Sequence, residues 1–392
     1  MVKASCAVDS KNKIHVLQIV CDPVGGIRKH VHNLICEIEP SIVTQSYVYS
    51  DINVDARFVE ERENVREKLS QMFTLKIRKK PHYSDLVNLY KLIRFVKKEK
   101  VTIVHGHGAK AGVYARLVAS ICNIKSVYTP HGGVVHAMFS KFEDLVYINV
   151  ERLLSRLTDL YIFESQYTAD SFQRKIKKLD GNWIVNYNGI EDVNVEAARK
   201  NSIGLDYSYD ESTIHVGIFG SLRPEKGQIF ALRAAALLLK KGRKIFFHFY
   251  GSGSDLEVLQ AEAHVLGIDE FVRFHGDVSD VFGHMLLIDV VLVPSLFESF
   301  GYVAVEAMAC GKAIIATKVG GLPEVVSGEC GLLVSAGNVD EIVEKIEVCI
   351  DRPEETNKRI HDARNRFLMK FHVAGMVSEI KNQYSRLAAN RV

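Results

Sequence analysis

The feature that most constrains the fold is a rhythm, in which short apolar segments alternate with helix-patterned stretches along most of the chain. In the first half Ile14 to Val20, Val43 to Ser50, Phe73 to Ile77, Val101 to His105, Lys125 to Tyr128 and Leu160 to Phe163 read as strands. Strands separated by helices imply βαβ units and a parallel sheet. A polar, poorly patterned stretch from Glu191 to Ser212 breaks the rhythm. It resumes at Ile214 to Phe219, Ile245 to Tyr250, Val272 to His275, Val290 to Val293 and Ala313 to Thr317, and Met376 to Leu387 is patterned as a last amphipathic helix.

A chain of 392 residues is too long for one ordinary core. The break therefore predicts two domains, 1–195 and 213–375, followed by a closing helix over 376–392. With 47% hydrophobic and 25% charged residues, the composition is that of a soluble globular protein. No apolar run reaches membrane-spanning length and no signal-peptide pattern opens the chain, so a cytoplasmic location is expected. Seven scattered cysteines without a C-x-x-C pair suggest neither a disulfide framework nor a zinc site.

The net charge of +3 hides an asymmetry, with 28 basic and 21 acidic residues in 1–192 against 22 and 26 in 193–392. Lys76, Arg78, Lys79, Lys80, Lys91, Arg94, Lys97, Lys98 and Lys100 form a strip opposed only by Asp85 and Glu99. Such a strip suits an anionic membrane surface, here the inner face of the membrane. The alternative is a solvated helix face, with Leu86, Leu89, Leu92, Ile93 and Val96 as its buried side. Arg174, Lys175, Lys177 and Lys178 form a second cluster, and since neither cluster interleaves aromatics, nucleic acid is not the expected partner.

The densest signal lies between Asp289 and Val326. A buried strand through Val293 is followed by Pro294-Ser295-Leu296-Phe297, then by a helix from Tyr302 to Cys310 closed by Gly311. Glu298 thus precedes a helix N-terminus and Glu306 lies inside that helix. Gly301 lets backbone approach a ligand, and the first-turn N–H groups with the helix dipole favour a phosphate. Upstream, Gly220-Ser221-Leu222-Arg223-Pro224-Glu225-Lys226-Gly227 places two cations in a loop before a helix near Gln228, an arrangement suited to a diphosphate. Near the N-terminus, Gly25 and Gly26 form a turn between strand and helix. His131, in Tyr128-Thr129-Pro130-His131-Gly132-Gly133, falls at the end of one strand, and His105 and His107 sit at another strand end, where open α/β sheets bind ligands. Gly106, Gly108 and Gly112 imitate a dinucleotide fingerprint, but the spacing is wrong and no acidic residue follows about 20 positions later.

These residues resemble the E-x7-E signature of retaining glycosyltransferases of family 4. Pro294-Ser295, Glu298, Phe300-Gly301, Glu306-Ala307-Met308-Ala309, Gly311 and Gly320-Gly321-Leu322-Pro323-Glu324 all match its surroundings. Phe219 to Gly227, Tyr250-Gly251-Ser252-Gly253 and Phe274 to Val278 follow the family's order upstream. The resemblance implies two Rossmann-like α/β domains facing a cleft, the GT-B architecture. It also implies a hexosyltransferase-type enzyme that moves a sugar from a nucleotide-diphosphate sugar to a glycan or lipid-linked acceptor, as in cell-surface polysaccharide or glycolipid synthesis. No cofactor or metal is implied.

By the same resemblance Lys226 binds the phosphate and Arg223 assists, although Ser221 stands where the family has arginine. Glu298 holds sugar hydroxyls, the backbone of Phe300, Gly301 and Tyr302 meets sugar and phosphate, and Glu306 holds the ribose. His131 positions the transferred sugar, and the nucleobase rests near Tyr250-Gly251 and His275-Gly276-Asp277. Gly26 meets the diphosphate from the N-terminal side, with Asp22 and His107 on the acceptor side. The two glutamates are not a glycosidase pair, because they do not flank an anomeric carbon. Retention is the implied outcome, through a front-face displacement in which the leaving phosphate takes the acceptor's proton. Two alternatives share this architecture: a nucleotide-sugar epimerase, and a glycosyltransferase-like subunit without catalysis.

Overall fold

The computed structural model describes residues 13–78, 80–132, 141–196, 198 and 212–389. Cys6, Lys79, Gly133 and most of the polar stretch 191–212 lie outside them. The chain divides into two units: one within Met1–Glu164, Thr168–Asn186 and Ala374–Val392, the other within Ser165–Tyr167 and Tyr187–Val373.

The first unit carries seven parallel strands, β1 Ile14–Val20, β2 Val43–Tyr49, β3 Gln71–Thr74, β4 Ile103–His107, β5 Lys125–Thr129, β6 Leu160–Phe163 and β7 Trp183–Val185. Their order is β3-β2-β1-β4-β5-β6-β7. The second unit carries β8 Ile214–Phe219, β9 Ile245–Tyr250, β10 Val272–Gly276, β11 Val290–Val293, β12 Ala313–Thr317 and β13 Leu332–Val334, in the order β10-β9-β8-β11-β12-β13. Both are α/β sheets of Rossmann order. The winding reverses beside β1 in one and beside β8 in the other, and the carboxyl ends of the strands flanking such a reversal are where open sheets bind ligands.

The second sheet is buried on both faces. Val291 and Val293 of β11 and Ile314 and Ala316 of β12 belong to one core cluster. Their neighbours Val290, Leu292, Ala313 and Ile315 belong to another. Successive side chains alternate across a strand, so an all-apolar segment feeds a core on each side.

Two strands are displaced from their expected bounds and two were not expected at all, each for a physical reason. β3 lies at Gln71–Thr74 rather than Phe73 to Ile77; Leu75 and Ile77 are buried just beyond it, so the apolar pattern outruns the ladder. β4 begins later, at Ile103, because Lys100 turns the chain with φ of 53°, and it runs on through His107. The three-residue strands β7 and β13 are too short to register as periodic segments.

The basic helix, Ser84–Lys98, faces the core with four of the five expected apolar positions, Leu89, Leu92, Ile93 and Val96, and departs from expectation at Leu86. It buries Asn88, Leu92 and Val96, whereas Leu86 is 74% exposed and Val87 and Tyr90 are exposed beside it. Asn88 joins the buried side, donating to the carbonyl of Lys76 at 3.0 Å. Lys91, Arg94, Lys97 and Lys98 lie on the exposed surface of the same helix.

Behind β5 lies a buried ion pair. Arg116, on helix Ala109–Cys122, donates to both carboxylate oxygens of Glu151 on helix Lys141–Leu154, at 2.7 and 2.9 Å. The guanidinium lies 4.2 Å from the centroid of the Tyr128 ring, and both charged side chains are fully enclosed. Gly112 permits this packing, since a Cβ there would lie 2.3 Å from the Tyr128 ring. Likewise a Cβ at Gly106 would meet the carbonyl of Ala111 at 2.5 Å. These glycines therefore seat a helix closely on its sheet.

The last helix, Val373–Ala389, is spliced into the first unit. Its Tyr384 hydroxyl is fully buried and hydrogen-bonds to His105 Nδ1 at 2.7 Å, and Gln18 Nε2 donates to it at 3.2 Å. No helix among the described residues is long and apolar enough to cross a membrane.

Candidate functional site

In the second unit two loops leave adjacent strands of the sheet reversal. β8 ends at Phe219, and β11, paired beside it, ends at Val293. From the first loop Lys226 Nζ reaches Glu298 Oε2, in the second, at 2.6 Å. Both side chains are only partly exposed. The loops are tied at backbone level as well: Leu296 and Phe297 N–H donate to the carbonyl of Glu225 at 2.9 and 3.2 Å. Gly227 adopts a left-handed φ of 66°, and a Cβ there would sit 2.2 Å from the carbonyl oxygen of Pro294. Lys226 and Glu298 are thus brought together by a contact that admits no side chain at 227.

Arg223 bonds within its own loop instead. Its Nε donates to Ser221 Oγ at 3.0 Å, and Nη1 lies 3.4 Å from Glu225. The guanidinium is therefore anchored on the serine that stands in the family arginine's place. Phe300 is buried and part of the core, leaving its backbone as the group available at the site. Gly301, at φ of 107°, precedes helix Tyr302–Ala309, which has no side-chain cap. The first N–H groups of such a helix lack intrahelical partners. Glu306 lies one turn further on, half-buried.

Beneath Glu298 lies a feature whose geometric role the sequence did not disclose. Gly320 and Gly321 pack directly under its backbone, and Gly321 N–H donates to the Glu298 carbonyl at 3.1 Å. A Cβ at Gly320 would overlap that same carbonyl oxygen, at 1.6 Å. The Gly-Gly pair therefore sets the height of the Glu298 loop.

The positions expected near a nucleobase also come together. Gly251 N–H donates to the Gly276 carbonyl at 2.7 Å, Ser252 bonds through N and Oγ to Asp277 at 3.0 and 2.5 Å, and the Tyr250 ring stacks on His275 at 4.4 Å. Behind them runs a histidine ladder across three strands, His215 Nδ1 to His248 Nε2 at 2.9 Å and His248 Nδ1 to His275 Nε2 at 3.0 Å. Burial, reinforced by neighbouring histidines, lowers His248 to about 2 and His275 to about 4. In the unfolded chain both titrate near 6.5. Below that pH the unfolded state binds more protons, so stability falls as the medium is acidified. Fully enclosed His248 accounts for about 1.4 kcal/mol per pH unit, and half-buried His275 for less because solvent screens it. From pH 6.5 to 5 the native protein should lose about 2 kcal/mol more than a His248→Leu variant. Parallel urea melts of both proteins at the two pH values measure the difference; equal losses would refute the assignment.

In the first unit the loop after β1 holds Asp22, which accepts from Asn53 Nδ2 at 3.1 Å. Gly25, at φ of 54°, donates its N–H to Asp55 at 3.1 Å, and Gly26 is exposed at the start of helix Gly25–Glu37. His107 and His131 are brought into direct contact, Nδ1 to Nε2 at 3.2 Å. His131 sits in the left-handed region at φ of 50°, a conformation uncommon outside glycine that tends to mark functional sites. Its Nδ1 meets Glu164 Oε2 at 3.1 Å, and His107 Nε2 meets Gln18 Oε1 at 2.9 Å. Burial holds the His107 imidazole well below its usual range. The structure brings the two histidines together and pairs Asp22 with Asn53 instead.

Glu164, Gln18 and His30 were missed by sequence reasoning. Gln18 offered one signal, a lone polar side chain inside the apolar strand IHVLQIV. Glu164 offered another, a carboxylate directly after the last residue of β6. His30 lies on helix Gly25–Glu37 with its ring 5.0 Å from that of His131.

Comparison with known proteins covers both units. The family model described as Glycosyltransferase Family 4 matches residues 24–193, and that described as Glycosyl transferases group 1 matches 208–366. An uncharacterized glycosyltransferase of Methanocaldococcus jannaschii is 28% identical over 93% of this chain and 95% of its own. The capsular polysaccharide biosynthesis glycosyltransferase CapM of Staphylococcus aureus is 23% identical over 77% of this chain and 81% of its own. Among solved structures, HepE of Anabaena in complex with UDP-glucose superposes with a TM-score of 0.81, at 21% identity, over 95% of this chain and all of that one. With a Rossmann-ordered sheet in each unit and a family model matching each half, the chain belongs to glycosyltransferase family 4 and has the GT-B fold.

Proposed function

We propose that this glycosyltransferase uses a nucleotide-diphosphate sugar, retains the anomeric configuration, and glycosylates a glycan or lipid-linked acceptor in surface polysaccharide synthesis. One observation carries the reading: the 2.6 Å Lys226–Glu298 pair stands where the strand ends flank the reversal of the second sheet. A cation there offsets charge building on the leaving phosphate, and a carboxylate beside it accepts hydrogen bonds from sugar hydroxyls. Arg223, the first turn after Gly301 and the backbone of Phe300 and Tyr302 add donors, while Glu306 takes the ribose. No metal is assigned to the diphosphate. His131 positions the sugar, with Gly26, Asp22 and His107 assigned to the diphosphate and acceptor from the first unit. The leaving phosphate accepts the acceptor's proton, so a separate general base is not required.

Thermal melts with a panel of nucleoside diphosphates and nucleotide sugars, UDP-glucose first, test the donor assignment. A ligand that binds only the native state stabilises it by about 2.7 kcal/mol at 100 times its Kd. One nucleotide should raise Tm, with or without EDTA, and Glu306→Ala should abolish the rise. Absence of a shift with every nucleotide would sink the donor reading. NMR of the product would show whether the donor's anomeric configuration is kept.

The acceptor side is further proposed to rest on an anionic membrane surface. Support comes from the exposed Leu86, Val87 and Tyr90 beside Lys91, Arg94, Lys97 and Lys98, the composition of an interfacial helix. Each cation near such a surface is worth about 1 kcal/mol. Lys91→Glu with Arg94→Glu should therefore weaken sedimentation with phosphatidylserine-containing vesicles at least tenfold. Equal binding by the double variant would exclude this helix as the contact.

A further inference from the structure

We propose that His30, His107 and His131 bind one zinc-like divalent cation, with Gln18 and Glu164 orienting two of the three ligands. Their ring nitrogens lie within 4.8 Å of one another, and this is the one such group of histidine, cysteine or carboxylate side chains among the described residues. Cation binding rests on the first unit's geometry alone and stands whether or not the donor assignment holds; its consequence for transfer rests on the sugar-positioning role proposed for His131.

The direction of the surrounding hydrogen bonds carries the argument. Gln45 Nε2 donates to the carbonyl of Leu34 at 3.0 Å, so its Oε1 accepts from Gln18 Nε2 at 2.9 Å. Gln18 therefore turns Oε1, an acceptor only, toward His107 Nε2 at 2.9 Å. His107 must carry its proton on Nε2, leaving a lone pair on Nδ1. On the other side, the Glu164 carboxylate draws the proton of His131 onto Nδ1, leaving a lone pair on Nε2. These two lone pairs point at each other across 3.2 Å. Such a contact is favourable only if something positive lies between the nitrogens.

An added proton would serve two rings, but the third ring, His30, is packed at 5.0 Å from His131 and 5.4 Å from His107. Three imidazoles are a ligand set for zinc or cobalt. Two nitrogens bound to one zinc at about 2.0–2.1 Å each in tetrahedral geometry lie about 3.3 Å apart, close to the separation observed. Metal-bound histidines characteristically donate their other N–H to a carboxylate or carbonyl, as His131 and His107 do here. A bound cation occupies His131 Nε2 and withdraws it from a sugar, so the site would act as a brake on transfer.

The test uses the full chain after chelator treatment, titrated with Zn2+ alone by calorimetry and with Co2+ alone by visible absorption. One equivalent should bind, and Glu164→Gln, which keeps every ligand, should weaken binding about 10–100-fold. His30→Asn should abolish the tetrahedral cobalt spectrum. X-ray absorption of the zinc-loaded native protein gives a readout independent of variant folding, with a sulfur-free shell of nitrogen and oxygen near 2.0–2.1 Å expected, three imidazoles and one water. A sulfur shell near 2.3 Å, an affinity unmoved by Glu164→Gln, or no uptake would each overturn the proposal.

Discussion

Lys226→Ala is expected to lower kcat by about 10²–10³, the loss typical when one preorganised group that stabilises developing charge is removed. The chain's geometry says why the effect should fall on kcat. The ammonium is held at 2.6 Å by Glu298 and its loop is clamped to the neighbouring one through Gly227 and Pro294. It therefore needs little reorganisation when the diphosphate departs. Alanine also leaves Glu298 without its cation, so binding of the sugar should suffer, and KM should rise modestly. Lys226→Arg keeps the charge but not the compact shape, and should recover only part of the rate. Steady-state kinetics with the donor found by the melt panel decide the matter. A Lys226→Ala enzyme within fivefold of native kcat would remove lysine from the chemistry.

Glu151→Ala should be the most damaging single change to stability, costing about 3–5 kcal/mol. Arg116 and Glu151 are both enclosed, and the carboxylate accepts two hydrogen bonds from the guanidinium. Without it a fixed positive charge remains among Tyr128 and the helix backbone, where the Gly112 carbonyl accepts from Arg116 Nε at 2.8 Å. Replacing both partners by apolar residues removes the buried charge altogether. Arg116→Met with Glu151→Leu should therefore be far less harmful than either single change, because desolvating two ions offsets much of their attraction. Urea denaturation of the three variants measures this, and a loss below about 1 kcal/mol for Glu151→Ala would contradict the buried-pair argument.

Much of the fold was legible because both sheets are parallel and covered on two faces. β11 and β12 read as unbroken apolar runs, and their limits were predicted to the residue. β4 was cut short at His105 because Gly106 and His107 look like a loop, although both pair with β1 and β5. The glutamates and Lys226 were legible from the motif around them, yet the ion pair between Lys226 and Glu298 was not. It joins residues 72 apart through the sheet reversal, and strand order is a property of pairing that no local pattern carries. Leu86 was misplaced for a related reason: helical periodicity defines an apolar stripe but not how far along the helix the core extends, and the core takes Leu89, Leu92, Ile93 and Val96 while Leu86, near the first turn, is exposed. Of the polar chain from Gln45 through Gln18, His107 and His131 to Glu164, the two histidines were legible at their strand ends, whereas Gln18, Gln45 and Glu164 escaped because each alone resembles an ordinary buried polar residue.

The splicing of helix Val373–Ala389 into the first unit bears on the order of events at the ribosome. Tyr384 completes the polar interior around Gln18 and His105, and 279 residues separate it from His105. At about 5–20 residues per second, translation of that interval takes roughly 15–55 s. Throughout it the first sheet exists without the hydroxyl that satisfies its central strands, while the whole second unit is synthesised and free to fold. The earliest part of the chain to be made is thus the last to be finished.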